Sequence, residues 1–326
     1  MYFFTNMARK LRIERIGGFY HVINRGNYQS DIFATQGARH AFAKTLDEAC
    51  QRAGWVLHAW CLMTNHYHLA LGTPNGNLVS GMQWLQATFG ARFNRFRNER
   101  GHLFQGRYKA LNIEPGKSLG AVCHYIHLNP IRAKMMSLDE LASWNGCSLR
   151  WLMKPGERAS WFNPDAALAH PMRLADTPAG RRSYMDYLAW LSTDESAQKD
   201  LCFERLSKGW AIGSKEFKRE LLDDIPEDKI VGVEDAREGR ELLWAEDLEK
   251  LKAKFSEEEK QDQAKFANWK VAVAARMKMA TTAGNRWLAE HLGMGNPHTL
   301  SRLTSECRKG RRAAPHFKRL SSKGKI

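Results

Sequence analysis

The sequence predicts an α+β fold, on three observations. Strand-like and helix-like segments alternate over the first 135 residues, Gly- and Pro-containing turns separate them, and the rest of the chain reads mostly as helix. GFYHVINR (Gly18–Arg25) reads as a strand closed by the turn-like RGN. TQGARHAFAKTLDEACQRAG (Thr35–Gly54) has the apolar spacing of an amphipathic helix and stops at a glycine. WVLHAWCLM (Trp55–Met63) and HYHLALG (His66–Gly72) form a hairpin across the short turn Thr64-Asn65. After TPNGN, LVSGMQWLQATFGARFNRFRNERG continues as a helix and HLFQGRYKALNIE (His102–Glu114) as a fourth strand. Pro115-Gly116 ends that strand, and SLGAVCHYIHLNPIRAKMM follows as a further helix. The order β-α-β-β-α-β-α is the ferredoxin-like arrangement: one antiparallel sheet, helices packed on one face, and an added helix.

Composition narrows the functional classes. A chain of 326 residues with 43% hydrophobic and 26% charged residues is globular rather than disordered, and long enough for two or three domains. No apolar run approaches a membrane span, and MYFFTNMARK is too short an apolar stretch for a secretory signal. Six scattered cysteines without a CxxC pair signal neither a zinc finger nor a disulfide framework, and a reduced, cytoplasmic setting follows. Charge is segregated. Residues 1–134 carry 17 Lys+Arg against 6 Asp+Glu, and residues 135–215 balance at 10 of each. Residues 216–262 hold 17 acidic and 9 basic residues, and residues 263–326 hold 14 basic and 2 acidic. Two basic blocks separated by an acidic one suggest two modules that bind a polyanion, nucleic acid above all.

Three regions are expected: a first domain over 1–150, a helical extension with an acidic connector over 151–262, and a basic module over 263–326. Trp161, Tyr184, Tyr187, Trp190 and Trp210 fall at helix-like spacing and read as core aromatics. The Glu- and Lys-dense stretch 216–262 reads as a solvated helical connector.

Chemistry concentrates in TNHYHLAL, Thr64–Leu71. Strand alternation puts His66, His68 and Ala70 on one face and Tyr67, Leu69 and Leu71 on the other. If the apolar residues face the helices, both imidazoles lie on the open face, roughly 7 Å apart along the strand and able to converge on one cation. In the later helix VCHYIHLNPIRAK, Tyr125 and Asn129 are four residues apart and share a face. Asn129 offers a carbonyl oxygen to a metal, and Tyr125 a hydroxyl that can attack phosphorus. A packed Tyr125, an Asn129 that caps the helix before a break at Pro130, and a soft-metal site from Cys123 and His127 are competing readings.

TNHYHLAL resembles the histidine–hydrophobe–histidine (HUH) motif of single-strand endonucleases. CHYIHLNPIRA resembles the tyrosine helix of the REP-associated tyrosine transposases, and HVINRGN and FQGRYKA resemble that family's first and fourth strands. The resemblance covers roughly residues 9–150. It implies that His66, His68 and Asn129 hold Mg²⁺ or Mn²⁺, and that Tyr125 attacks a phosphodiester to give a 5′-phosphotyrosine link and a free 3′-hydroxyl. The implied substrate is single-stranded DNA carrying a hairpin, including repetitive extragenic palindromes, and the protein acts as a monomer or homodimer with no membrane partner. A non-catalytic DNA-binding regulator of the same fold is the alternative, and a phosphoesterase using activated water is a third reading.

Arg25, Arg95, Arg107 and Lys109 are candidate phosphate contacts, the last two on one side of the fourth strand by alternation. Further on, TTAGNRWLAEHLGMGNPHTLSRLTSECRKGRR has the shape of a helix-turn-helix. Trp287, Leu288, Leu292, Leu300 and Leu303 point inward, Asn296-Pro297 starts the second helix, and His298, Thr299, Ser301 and Arg302 are free to meet a duplex groove. The tail from Arg308, with eight Lys+Arg and no acid, reads as a flexible phosphate-binding arm.

Overall fold

The computed structural model describes residues 13–224 and 237–320. Contacts divide the chain into two compact units, Met1–Ala236 and Arg237–Ile326.

In the first unit the chain runs β1 (Gly18–Arg25), α1 (Gln36–Ala53), β2 (Val56–Leu62), β3 (His66–Thr73), α2 (Leu78–Arg97), β4 (Lys109–Ile113) and α3 (Lys117–Arg132). Local chemistry sets the boundaries. The Thr35 side chain accepts the Ala38 N–H to start α1, and Gly54 ends it in the left-handed region at φ 67°. The two-residue Thr64-Asn65 turn closes the β2–β3 hairpin, with Met63 N–H donating to the His66 carbonyl at 2.8 Å. Phe42, Leu46, Ala49, Cys50 and Ala53 line the buried stripe of α1. Gly81 lets α2 close on Trp55, whose ring would stand 2.1 Å from a Cβ at that position.

The sheet has the order β2-β3-β1-β4-β5, with β5 (Ala211–Ile212) joining parallel to β4 and every other pair antiparallel. Alternation sends Tyr20, Val22, Leu57, Trp60, Leu62, Tyr67, Leu69 and Leu71 into a core with α1 and α2. The opposite face is not open, as the sequence suggested. Ala59, Cys61, Ala70 and Ile113 pack there in a second core, beneath α3. Residues Leu119–Pro130 of α3 are buried without interruption, so this helix needs cover all round. The sheet covers one side; α4 (Leu138–Ser143), α5 (Leu149–Met153), α6 (Asp165–Ala169) and α7 (Pro178–Thr193) supply buried residues to the same core. After α8 (Glu195–Asp200) the chain reaches β5 and then α9 (Lys215–Asp223).

Several expectations change. The fourth strand begins at Lys109 rather than His102, because Gly106 turns the backbone at φ 66° and residues 103–105 bond instead to the end of β1 and the loop after it. Pro130 does not break α3. Its missing N–H forfeits one bond, to the carbonyl four residues back, but it stands two residues from the helix end, and Ala133 N–H still reaches the Asn129 carbonyl at 2.9 Å. Trp161, Tyr184, Tyr187 and Trp210 are core residues, whereas Trp190 is 50% exposed.

A buried hydrogen-bond wire fixes α3. Tyr184 Oη lies 3.0 Å from His124 Nδ1 and 2.8 Å from His127 Nδ1, His127 Nε2 lies 2.9 Å from Ser148 Oγ, and Ser148 donates to the Trp60 carbonyl. One direction satisfies every donor: His124 to Tyr184, Tyr184 to His127, His127 to Ser148 and Ser148 to Trp60. Burial holds both histidines neutral, each lowered to about 3.

In the second unit, α10 (Arg237–Lys252) and α11 (Glu257–Gln261) precede α12 (Asn268–Ala280), α13 (Asn285–His291), α14 (Pro297–Arg308) and α15 (Ala314–Leu320). Leu248, Leu251 and Phe255 join α12, Leu288, Leu300 and Leu303 in its core. The contact boundary therefore falls at 236/237, inside the stretch read as a connector. The Asn296 side chain accepts the His298 N–H at the start of α14, with Gly293 and Gly295 at positive φ before it. Part of the basic tail is helix, not a flexible arm: Leu320 is buried, Arg312 donates to the Phe266 carbonyl and Arg319 pairs with Glu259. Residues 321–326 lie outside the described residues. Among those described, no helix is long and apolar enough to cross a membrane.

Tyr184→Phe leaves His124 and His127 without their shared hydroxyl and is expected to lower stability by about 1–3 kcal/mol for each nitrogen left unpaired, read as a shift in the urea midpoint. Because the unfolded histidines take up protons near pH 6.5 and the folded ones only near 3, stability is level above pH 6.5 and falls as pH drops below it. A urea midpoint unchanged between pH 7 and 5 would contradict this.

Candidate active site

The register of β1 against β3 sets the site. Arg25 faces His66, Ile23 faces His68 and His21 faces Ala70, so His21, Arg25, His66 and His68 share one sheet face. His21 Nδ1 lies 2.7 Å from the Leu206 carbonyl, and its Nε2 lies 2.9 Å from His68 Nδ1. A carbonyl only accepts, so His21 carries its proton on Nδ1. Its Nε2 then accepts from His68 Nδ1–H, and His68 is left with a bare Nε2. His66 arrives at the same state by another route. Asn65 Nδ2 donates to the Gln29 carbonyl at 3.2 Å, which turns Asn65 Oδ1 toward His66 Nδ1 at 2.7 Å. Both histidines thus donate from Nδ1 and keep an Nε2 lone pair, and their ring centroids are 5.0 Å apart.

Burial keeps these rings neutral. It lowers His66 to about 4, with the Arg25 charge adding to the effect. It lowers His21 to about 4 as well, opposed by the Leu206 hydrogen bond and assisted by Lys109. His68 is pushed well below its ordinary value, first by burial and then by His21, His66 and Arg25.

The underside of α3 brings Tyr125 to the pair. Its ring centroid lies 5.8 Å from His68 and 5.8 Å from His21, edge-on to both. Phe203 meets Tyr125 edge-on at 5.5 Å, and the Arg132 guanidinium lies over both rings at 5.3 Å from each centroid. Tyr125 is 7% exposed and His68 4%, so this site is a narrow one. Asn129 stands one turn beyond Tyr125, buried, with no hydrogen-bond partner for Nδ2 among the described residues. Among those residues, no three His, Cys, Asp or Glu side chains are grouped to hold a metal ion, and Cys123 and His127 form no such group.

The sequence candidates therefore divide. His66, His68 and Tyr125 come together. Arg25 is exposed beside His66, and Lys109, paired with Ile23, shares their sheet face and lies near enough to His21 to lower its pKa. Arg107 lies before β4, so it does not alternate with Lys109 along a strand; it is exposed. Arg95 is exposed in the last turn of α2, in the layer against the other sheet face. Arg302 lies on α14 of the second unit, exposed and paired with Glu306 at 2.8 Å. His21, Arg132, Phe203 and Leu206 are the residues sequence reasoning missed. Strand alternation with β1 beside β3 was enough to find His21; nothing local marks the other three.

The sequence model of the IS200-like transposase family matches residues 17–129, which include His21, both histidines of the pair, Tyr125 and Asn129. Over residues 17–129 the chain is thus similar to IS200-like transposases. A solved structure described as the REP-associated tyrosine transposase bound to a REP hairpin aligns with 48% of this chain and 91% of its own, at 16% identity and a TM-score of 0.37. No curated protein matches the chain. Phe203 and Leu206, which touch Tyr125 and His21, lie beyond the matched span.

With His66 lowered to about 4 and His68 pushed well below its ordinary value, both side chains stay neutral as pH falls from about 8 to 5.5, where an unperturbed imidazole titrates. Their ring signals in a two-dimensional NMR titration are expected to hold still over that range. A midpoint near 6.5 for either ring would contradict the burial described.

Proposed function

We propose that the first unit is a metal-dependent single-strand DNA endonuclease and strand transferase with Tyr125 as nucleophile. The observation that carries this reading is the approach of the Tyr125 ring to the His68 ring, 5.8 Å between centroids, where His68 and His66 each keep a bare Nε2. The β2-β3-β1-β4 order is that of a ferredoxin-like sheet and supports the same reading.

The donor set fits a divalent cation. Two neutral imidazoles offer nitrogen lone pairs, and the buried Asn129 carboxamide can supply an oxygen. His66, His68 and Asn129 would hold Mg²⁺ or Mn²⁺, which when bound supplies Lewis-acid charge to the non-bridging oxygens of a phosphodiester. Tyr125 Oη forms the new bond to phosphorus and gives up its proton. The bond from phosphorus to the 3′ oxygen breaks, and that oxygen leaves as a protonated 3′-hydroxyl. The product is a 5′-phosphotyrosine whose phosphodiester can be passed to another 3′-hydroxyl, which makes cleavage reversible into joining. Arg132 and Phe203 hold the tyrosine ring through the exchange, and Arg25 and Lys109 flank the histidines as phosphate contacts. Hairpin DNA with a single-stranded flank is the substrate class. In the second unit, α13 and α14 act as a helix-turn-helix that holds duplex DNA through the exposed side of α14, including His298 and Arg302.

Incubation of the full chain with labelled hairpin oligonucleotides and Mn²⁺ should give a covalent adduct that survives a denaturing gel, and Tyr125→Phe should give none. Hairpin binding without any adduct would instead mark a non-catalytic DNA-binding protein, and cleavage that persists in Tyr125→Phe would mark activated water. Arg302→Ala should weaken duplex binding evenly across sequences and reduce the salt slope by about 1, without changing adduct formation on a minimal single-stranded substrate. A variant that binds duplex like the parent would remove α14 from the DNA interface.

A further inference from the structure

We infer that His21 is a positioning residue: it locks His68 as the tautomer protonated on Nδ1, so that the bare Nε2 is available to a divalent cation, and the segment around Leu206 completes the site by locking His21 in turn. The inference rests on the proposed function only for what the His68 lone pair is used for; the tautomer itself follows from the contacts.

His21 is fully buried in the middle of β1, and both of its ring nitrogens are spent. The Leu206 carbonyl takes Nδ1–H at 2.7 Å and His68 Nδ1–H occupies Nε2 at 2.9 Å, so His21 has no atom left to bind a metal or move a substrate proton. It acts through His68. Were His68 protonated on Nε2, its Nδ1 lone pair would face the His21 Nε2 lone pair at 2.9 Å, two acceptors with no proton between them. The Leu206 carbonyl is what forbids the alternative in which both rings reverse, because it cannot donate. Metal-binding histidines are oriented in this way by a carbonyl or carboxylate on the far nitrogen, and here the orienting group is a histidine with its own carbonyl behind it.

The arrangement is particular to this ring. His58 on β2 is also buried, yet no second histidine backs it among the described residues, so burial in this sheet does not by itself bring a histidine a hydrogen-bond chain. The same short segment also serves the other half of the site. Phe203 meets the Tyr125 ring at 5.5 Å while Leu206 holds His21, so residues 203–206 touch both the tyrosine side and the histidine side. These residues lie outside the span matched by the transposase family, which gives the extension beyond residue 150 a specific task.

The test uses the full chain labelled with ¹⁵N-histidine, without metal, at about pH 7.5. Couplings from ring carbon-bound protons assign the protonated nitrogen of His68, and calorimetry with Mn²⁺ alone gives affinity. Wild type should show His68 protonated on Nδ1. His21→Phe should lose that preference and bind Mn²⁺ roughly 10- to 100-fold more weakly, the usual cost of removing an orienting partner. His21→Gln, whose carboxamide can accept from His68 and donate to Leu206, should recover most of both. His68 found protonated on Nε2 in wild type overturns the inference, a measurement that needs no variant to fold. So does a folded His21→Phe protein with the wild-type tautomer and Mn²⁺ affinity. Wild type with the expected tautomer but no Mn²⁺ binding would instead overturn the metal part of the proposed function and leave the positioning role standing.

Discussion

A buried imidazole N–H without an acceptor is costly, and the face of this sheet that carries His66 and His68 is organised around avoiding that cost. The chain of contacts from the Leu206 carbonyl through His21 to His68 is satisfied only when β1 lies beside β3 and when the segment after α8 reaches back over the sheet. Remove the carbonyl and His21 has an orphaned donor; remove His21 and His68 has one. The cost of such an orphan, about 1–3 kcal/mol, is a substantial part of the stability of a domain. The geometry that leaves the His68 Nε2 bare is therefore held by the same interactions that hold the fold.

The opposite side of α3 obeys the same rule. His124 and His127 hand their protons along the wire that passes through Tyr184 and Ser148 to the Trp60 carbonyl, joining α7 and the loop before α5 to β2. Because these two histidines face the wire, Tyr125, Asn129 and Arg132 are turned to the other side of the helix. Two connected polar networks thus fix both the rotation of the tyrosine helix and the tautomer of the histidine it approaches. Apolar packing alone tolerates small rotations and slips, whereas a connected polar network in a low-dielectric interior has one arrangement that satisfies it.

Much of this was legible in the chain. The strand Gly18–Arg25, the α1 helix with its Thr35 and Gly54 signals, and the His66–Leu71 alternation follow from local rules, and the structure places them where those rules do. His66, His68 and Tyr125 were legible as types of chemistry at workable spacing. What local reasoning could not reach depends on distant segments. The histidine face looked open because nothing near His68 in sequence announces α3 and the 138–210 segment as its cover. Lys109 and Arg107 looked like strand neighbours because the Gly106 turn competes with an otherwise strand-like run. Leu206 contributes only a backbone carbonyl, which no side-chain pattern can reveal. The basic tail looked flexible because its charge hides Phe317 and Leu320, which pack into the second unit.

The most direct test of the account is a crystal structure of the full chain grown with Mn²⁺, read by anomalous scattering. The account predicts one strong peak about 2 Å from both His66 Nε2 and His68 Nε2, with His21 still bridging His68 Nδ1 and the Leu206 carbonyl and the Tyr125 hydroxyl facing the ion. A peak bound by other side chains, or a His68 ring turned so that Nδ1 meets the ion and the His21 contact is lost, would contradict it.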